Sequence, residues 1–282
     1  MTRIAAHAAA CLAACFLLAP PASGDLLLIG GGKKPPAVMR AFIDLAGGPS
    51  AKIVVFPTAS ELADTSEYYE ELFTENGAED VTGLELRTRE QTKDPAFLAA
   101  VERADGIFLS GGDQRRITEV MLGTPMHDLL RRRLAEGAVV GGTSAGTACM
   151  SELMITGDGD FSVLRADNVE VSKGLGLFPG AILDQHFVAR QRQNRLLSLV
   201  LEHPDRLGIG VDEATAVWWR GDGTFEVLGE GWVEVYDASQ SAVRRLDSAS
   251  GPQLGVDGVR QHVLLPGDRF DLKKRRRVEV AP

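Results

Sequence analysis

From Asp25 onward, short runs rich in leucine and β-branched residues alternate with longer stretches whose apolar positions recur at helical spacing. The short runs, at residues 26–29, 52–56, 80–84, 106–109 and 138–140, predict strands. The stretches between them, at residues 37–46, 66–75, 95–103 and 126–136, predict helices. Strands separated by helices imply right-handed crossovers, and hence a mostly parallel sheet covered on both faces, an α/β three-layer sandwich. In such sheets chemistry collects at the carboxyl ends of the strands.

The rhythm changes after Gly146. A Gly/Asp-rich loop is expected at residues 157–160, then a strand at 181–184 and a helix at about 191–203. Residues 208–282 read as antiparallel strands, at 214–219, 224–228, 232–236, 261–265 and 274–280, with Gly-Asp-Gly and Pro-Gly turns between them. These strands are expected to extend the same sheet. Residues 25–282 would then form one domain, with no repeat or long linker.

The first 24 residues have another character. Arg3 gives a weakly positive start, residues 5–19 are almost continuously apolar, and Ala22-Ser23-Gly24 offers small residues where an export signal is cut, before Asp25. Leu12-Ala13-Ala14-Cys15 also resembles a bacterial lipoprotein box, which would place a lipid on Cys15. The apolar run continues past it through Phe16-Leu17-Leu18, which suits plain secretion or release to the periplasm better. The stretch is too short for a spanning helix.

Cleavage there removes one basic residue, Arg3, from the 30 and none of the 39 acidic ones, so the mature chain carries a net charge of −10. Nucleic acid is an improbable partner at that charge. Cys11 and Cys15 leave with the signal, and Cys149, alone in the mature chain, has no partner for an intrachain disulfide. It is expected to be packing. The five histidines show no metal-type spacing, so neither a metal nor another cofactor is expected.

The candidate chemistry centres on Val139-Val140-Gly141-Gly142-Thr143-Ser144-Ala145-Gly146. It has the strand, sharp turn and helix layout of a nucleophile elbow, in which small neighbours let strand and helix approach and leave the serine hydroxyl exposed. Asp184-Gln185-His186-Phe187 follows another strand and supplies a histidine. Gly208-Ile209-Gly210-Val211-Asp212-Glu213 is an apolar run ending in carboxylates, one of which could orient the imidazole. Leu109-Ser110-Gly111-Gly112-Asp113-Gln114 could turn backbone N–H groups and the Gln114 amide toward a carbonyl oxygen, completing an oxyanion hole with the Ala145 N–H. A second set, Ser144, Asp212 and His262, has the chain order of an α/β-hydrolase esterase, although it lacks that fold's HGGG-type segment.

Taken together, Gly30-Gly31-Gly32, Ser110-Gly111-Gly112-Asp113-Gln114, Gly142-Thr143-Ser144-Ala145-Gly146, Asp184-Gln185-His186-Phe187 with Arg190, Arg192 and Arg195, and Gly208 to Glu213 resemble the cyanophycinases. These belong to a wider group of serine peptidases that includes the aspartyl dipeptidases and has a class I glutamine amidotransferase-like fold. The resemblance implies Ser144 as nucleophile, His186 as base and then acid, Glu213 as orienting carboxylate, and Gly112 and Ala145 as oxyanion donors. It implies a substrate pocket of Gln114, Asp184, Gln185, Arg190, Arg192 and Arg195, a possible homodimer, and cyanophycin or another aspartyl peptide as substrate. Guanidinium groups suit such a substrate because each can grip a carboxylate through two parallel hydrogen bonds. A non-catalytic relative that only binds aspartyl peptides would carry the same arginines.

Overall fold

The computed structural model describes residues 24–159, 162–249 and 251–279. All of the expected signal but Gly24, Cys15 included, the end of the 157–160 loop and the last residue of the 274–280 strand lie outside them. The first strands are β1 (Leu26–Ile29), β2 (Lys52–Phe56), β3 (Asp80–Gly83), β4 (Gly106–Leu109) and β5 (Val139–Thr143), all parallel in the spatial order β1-β5-β4-β2-β3. Helices α1 (Pro36–Leu45), α2 (Thr65–Glu75), α3 (Pro95–Glu102), α4 (Gln114–Met121) and α5 (Pro125–Ala135) connect them, and α6 (Ala145–Ala148) follows β5.

Alternation along β1 shows why the sheet is covered on both sides. Leu27 and Ile29 enter a core with Val38, Phe42, Tyr69 and Phe73 of α1 and α2, whereas Leu26 and Leu28 enter one with Val101 of α3, Ile117 of α4 and Leu130 of α5. β5 runs three residues beyond the expected Val140, through glycines that serve close packing and not a turn. A Cβ on Gly141 would lie 2.6 Å from the Phe42 ring.

Several expectations need correction. Residues 114–121, of which only Gln114 was read, as the end of a glycine turn, form α4, whose first turn is capped by the Asp113 carboxylate accepting the Arg115 N–H at 2.9 Å. Residues 157–159 are not loop: they end β6 (Leu153–Gly159), which pairs with β7 (Val169–Lys173). The expected extension of one sheet holds only in part. After β8 (Ala181–Gln185), α7 (Gln193–Glu202) and β9 (Leu207–Val211), the strands β10 (Thr215–Arg220) and β11 (Thr224–Gly229) do join the edge beside β1.

β12 (Val233–Asp237), however, pairs with β9 and not with the main sheet. After the hairpin of β13 (Ala242–Leu246) and β14 (Gln253–Asp257), β15 (Arg260–Leu264) completes a second sheet in the order β15-β12-β9-β8. The short β16 (Arg269–Asp271) and β17 (Arg276–Arg277) return to the first sheet, which has nine strands among the described residues. Leu183, Ile209 and Val235 of the second sheet share a core with Val217 and Trp219 of the first. The carboxyl ends of β8 and β9 thereby meet the ends of β1 and β5.

Candidate active site

Ser144 caps α6 with φ 52° and ψ −108°, a conformation that costs a non-glycine residue about 1–3 kcal/mol. Hydrogen bonds hold it there. The Ser144 N–H donates to Ile29 O at 3.0 Å, and Thr147 Oγ1 donates to Ile29 O at 2.7 Å and to Gly142 O at 3.0 Å. Only glycines allow so close a crossing: a Cβ on Gly142 would stand 2.5 Å from the Gly146 carbonyl carbon, and one on Gly146 2.2 Å from Leu109 O. Cys149 on the next turn is buried and donates to Gly146 O, and burial pushes its thiol pKa up, so it is packing as expected.

His186 directly follows β8 with φ 48°, and Glu213 lies two residues past β9, before Ala214 at φ 54°. His186 Nε2 is 2.9 Å from Ser144 Oγ, and His186 Nδ1 is 2.5 Å from Glu213 Oε1. Hydroxyl, imidazole and carboxylate form one hydrogen-bonded chain. The serine comes from the first sheet, while its two partners come from the second.

The end of β1 joins these turns. Gly30 O accepts the His186 N–H at 2.7 Å, Gly31 O accepts the Ala214 N–H at 3.1 Å, and the Gly30 N–H donates to Thr215 O at 2.9 Å. At φ 116°, Gly31 sits so near the imidazole that a Cβ would lie 2.3 Å from His186 Nε2, and a Cβ on Gly32 would lie 2.7 Å from Glu213 Oε2. Sequence reasoning placed no role on Gly31 or Gly32. Three glycines in a row after an apolar strand were the available signal.

Burial holds the His186 imidazole below its ordinary pKa of 6.5; the Glu213 hydrogen bond and charge pull it upward, and the charges of Arg190 and Arg192 press it down. The ring is therefore neutral at neutral pH, as a proton acceptor must be. Gly111 packs on the serine, a Cβ there falling 3.4 Å from Ser144 Cβ, and Gly112 follows at φ 142°. Among the described residues, neither the Gly112 nor the Ala145 N–H meets an acceptor, so both are free to hold a developing oxyanion.

The remaining expected pocket residues separate into two groups. Arg190 is exposed beside His186, and Arg192 donates from Nη1 to Gln185 O at 2.5 Å and Gln185 Oε1 at 2.9 Å. Gln185 Oε1 in turn lies 3.4 Å from Ser144 Oγ, and burial pushes the Arg192 pKa down to about 10. Gln185 thus touches the serine, and the charges of Arg190 and Arg192 act on His186. Asp184 and Arg195 instead form a buried two-pronged ion pair, with Arg195 Nε 2.7 Å from Asp184 Oδ2 and the Arg195 side chain 1% exposed. Their expected place in the substrate pocket is corrected to a support behind it.

Gln114 is corrected as well. Its Nε2 donates to Ile155 O and Thr156 O, both at 2.8 Å, so the amide ties α4 to β6 and has no free N–H for a substrate carbonyl. Arg190 and Arg192 precede α7, which begins at Gln193, whereas Arg195 lies in its first turn on the buried face. The esterase set also comes apart. Asp212 Oδ1 accepts the N–H groups of Val188 and Ala189, at 3.1 and 3.0 Å, while His262 packs edge-on against Phe270 on β15, two strands from β9.

A serine in a strained turn, hydrogen-bonded to a histidine that a glutamate orients, defines a serine hydrolase of the nucleophile-elbow kind. Peptidase family S51 matches residues 26–227, and the chain belongs to that family of serine-type peptidases. It is 40% identical over 246 residues to a cyanophycinase of Trichormus variabilis, covering 84% of this chain and 81% of that protein. It is 38% identical over 239 residues to a cyanophycinase of Geminocystis herdmanii, covering 84% and 88%. The crystal structure of a peptidase from an acI-B1 actinobacterium has the same fold, with a TM-score of 0.61 at 24% identity over 75% of this chain and 90% of that one.

Proposed function

We propose that this protein is an exported serine-type exopeptidase that hydrolyses α-peptide bonds in the aspartate backbone of cyanophycin and releases β-aspartyl-arginine. The hydrogen-bonded chain Ser144–His186–Glu213 carries the reading. The two cyanophycinase relatives supply the substrate, and the apolar run of residues 5–19 followed by Ala22-Ser23-Gly24 supplies export.

In this mechanism Ser144 Oγ attacks the scissile carbonyl carbon as its proton passes to His186 Nε2, and Glu213 stabilises the imidazolium through Nδ1. The N–H groups of Gly112 and Ala145 hold the oxyanion, a contribution of about 10²–10³ in rate per donor in comparable sites. The C–N bond then breaks as His186 returns the proton to the leaving amine, leaving an acyl ester on Ser144. Water attacks that ester by the same route and frees the serine.

Room for a polymer is available next to the Gly112 turn, where an open cleft of about 640 Å³ is lined by both signs of charge, including Glu61, Glu85, Arg87 and Arg116. Arg116 pairs with Glu61 and Arg87 with Glu85, so a chain bearing guanidinium and carboxylate groups would bind there by exchanging with these pairs. Incubation of the purified protein with insoluble cyanophycin should release the dipeptide, identified by mass spectrometry. Folded protein that releases none would remove the substrate assignment.

A second reading keeps the chemistry and changes the substrate to small aspartyl dipeptides. It is favoured by the likeness of this chain to a peptidase E of Shewanella denitrificans, 28% identical over 147 residues. Rates on soluble Asp-X dipeptides against rates on polymer separate the two.

A further inference from the structure

We infer that Arg87 is a positioning residue for the reaction, acting on the oxyanion donor of Gly112 through the loop of residues 57–62. The inference rests on the reading in which the Gly112 N–H holds the oxyanion. Arg87 itself follows β3 and is half-buried, outside the triad.

The turn that carries Gly112 hangs on the chain leaving β2. The Ser110 N–H donates to Phe56 O at 3.0 Å and the Asp113 N–H to Ala59 O at 2.9 Å, so both ends of the turn prolong the pairing of β4 with β2. Gly112 lies directly on the second acceptor. At φ 142° it brings its α-carbon so near that a Cβ there would collide with Ala59 O, while a Cβ on the preceding Gly111 would stand 3.4 Å from Ser144 Cβ. The place of the Gly112 N–H beside the serine is therefore set by where Ala59 O sits.

No strand fixes Ala59, because β2 ends at Phe56. Arg87 does so instead. Its Nη1 donates to Pro57 O at 2.7 Å and to Ser60 O, its Nη2 donates to Leu62 O at 3.3 Å, and its Nε donates to Glu85 Oε2 at 2.9 Å. The main-chain bonds fall on both sides of Ala59. Next to Arg87, Leu86 O accepts the Thr58 hydroxyl at 2.7 Å, which adds a second tie to the same loop. A guanidinium holds its donors in one rigid plane, and a charged donor bonds a carbonyl more strongly than a neutral one. Arg87 thus fastens three carbonyls of an irregular loop and leaves Ala59 O aimed at the oxyanion turn.

The test follows labelling of Ser144 by a serine-directed phosphonate, whose phosphoryl oxygen takes the oxyanion's place, and separates the rate at saturation from the concentration that half-saturates it. Arg87→Met should lower the saturated rate about tenfold or more, short of the about 10²–10³ lost with an oxyanion donor outright, and leave the half-saturating concentration unchanged. Arg87→Lys keeps the charge without the fork and should lower the rate in the same direction. It carries the test if Arg87→Met does not fold. A merely structural role would reduce the fraction of Ser144 finally labelled, or the melting temperature, and leave the saturated rate of the labelled fraction as it was. That result, or a change confined to the half-saturating concentration, overturns the inference. Absence of labelling on Ser144 in the unaltered protein would remove the serine-nucleophile reading itself, and the inference with it.

Discussion

Gly31 lies so close to His186 that a methyl group on its α-carbon would occupy the space of the imidazole, 2.3 Å from Nε2. Its φ of 116° independently disfavours any side chain. Gly31→Ala should push the ring off Ser144 and lower kcat by about 10² or more, since displacements of about 1 Å from reactive geometry have that effect. Circular dichroism should show the fold retained. Full activity of this variant would mean that the ring has another productive position.

The acid limb of the pH profile reports the imidazole. Because burial and two arginine charges outweigh Glu213, kcat/KM should stay high to a pH below the ordinary histidine value of 6.5 and fall only as His186 takes up a proton. Arg190→Gln removes a positive charge that opposes protonation, so the pKa rises and the limb moves to higher pH. A limb unchanged in Arg190→Gln would show that this charge does not reach the ring.

Asp184 and Arg195 are expected to govern stability. Asp184→Ala leaves a buried guanidinium without its carboxylate and should cost about 3–5 kcal/mol in chemical denaturation. Replacing both residues by apolar ones of similar size should recover much of that loss. A small effect from the single substitution would return Asp184 to the list of substrate contacts.

His262 tests the excluded esterase set. It lies on β15 against Phe270, so His262→Ala should change activity by less than about threefold. An effect as severe as that of removing His186 would contradict the present triad.

Much of this architecture was legible in the chain. The strands of residues 26–29, 52–56 and 106–109 were read at their observed bounds because their faces are apolar on both sides, as a buried parallel strand requires. Serine and histidine were legible because each follows an apolar run, whereas the choice of Glu213 over Asp212 rested on the family resemblance; their meeting depends on β8 and β9 of the second sheet ending beside β1 and β5 of the first.

What was missed depends on long-range packing. Nothing local distinguishes β12 as a partner of β9 rather than of the first sheet, since both environments ask for the same alternation. Asp184 and Arg195 look like pocket residues in sequence because charge is visible there and burial is not. Gly31 and Gly32 look like a turn because the imidazole and carboxylate that exclude their side chains come from more than 150 residues away.

The most direct test of the nucleophile is intact-mass and peptide mapping after treatment with a serine-directed phosphonate, following the rate of adduct formation. A single adduct on Ser144, formed at least about 10² more slowly in His186→Ala, is the predicted result. An adduct on another residue, or labelling of Ser144 at an undiminished rate without His186, would contradict it.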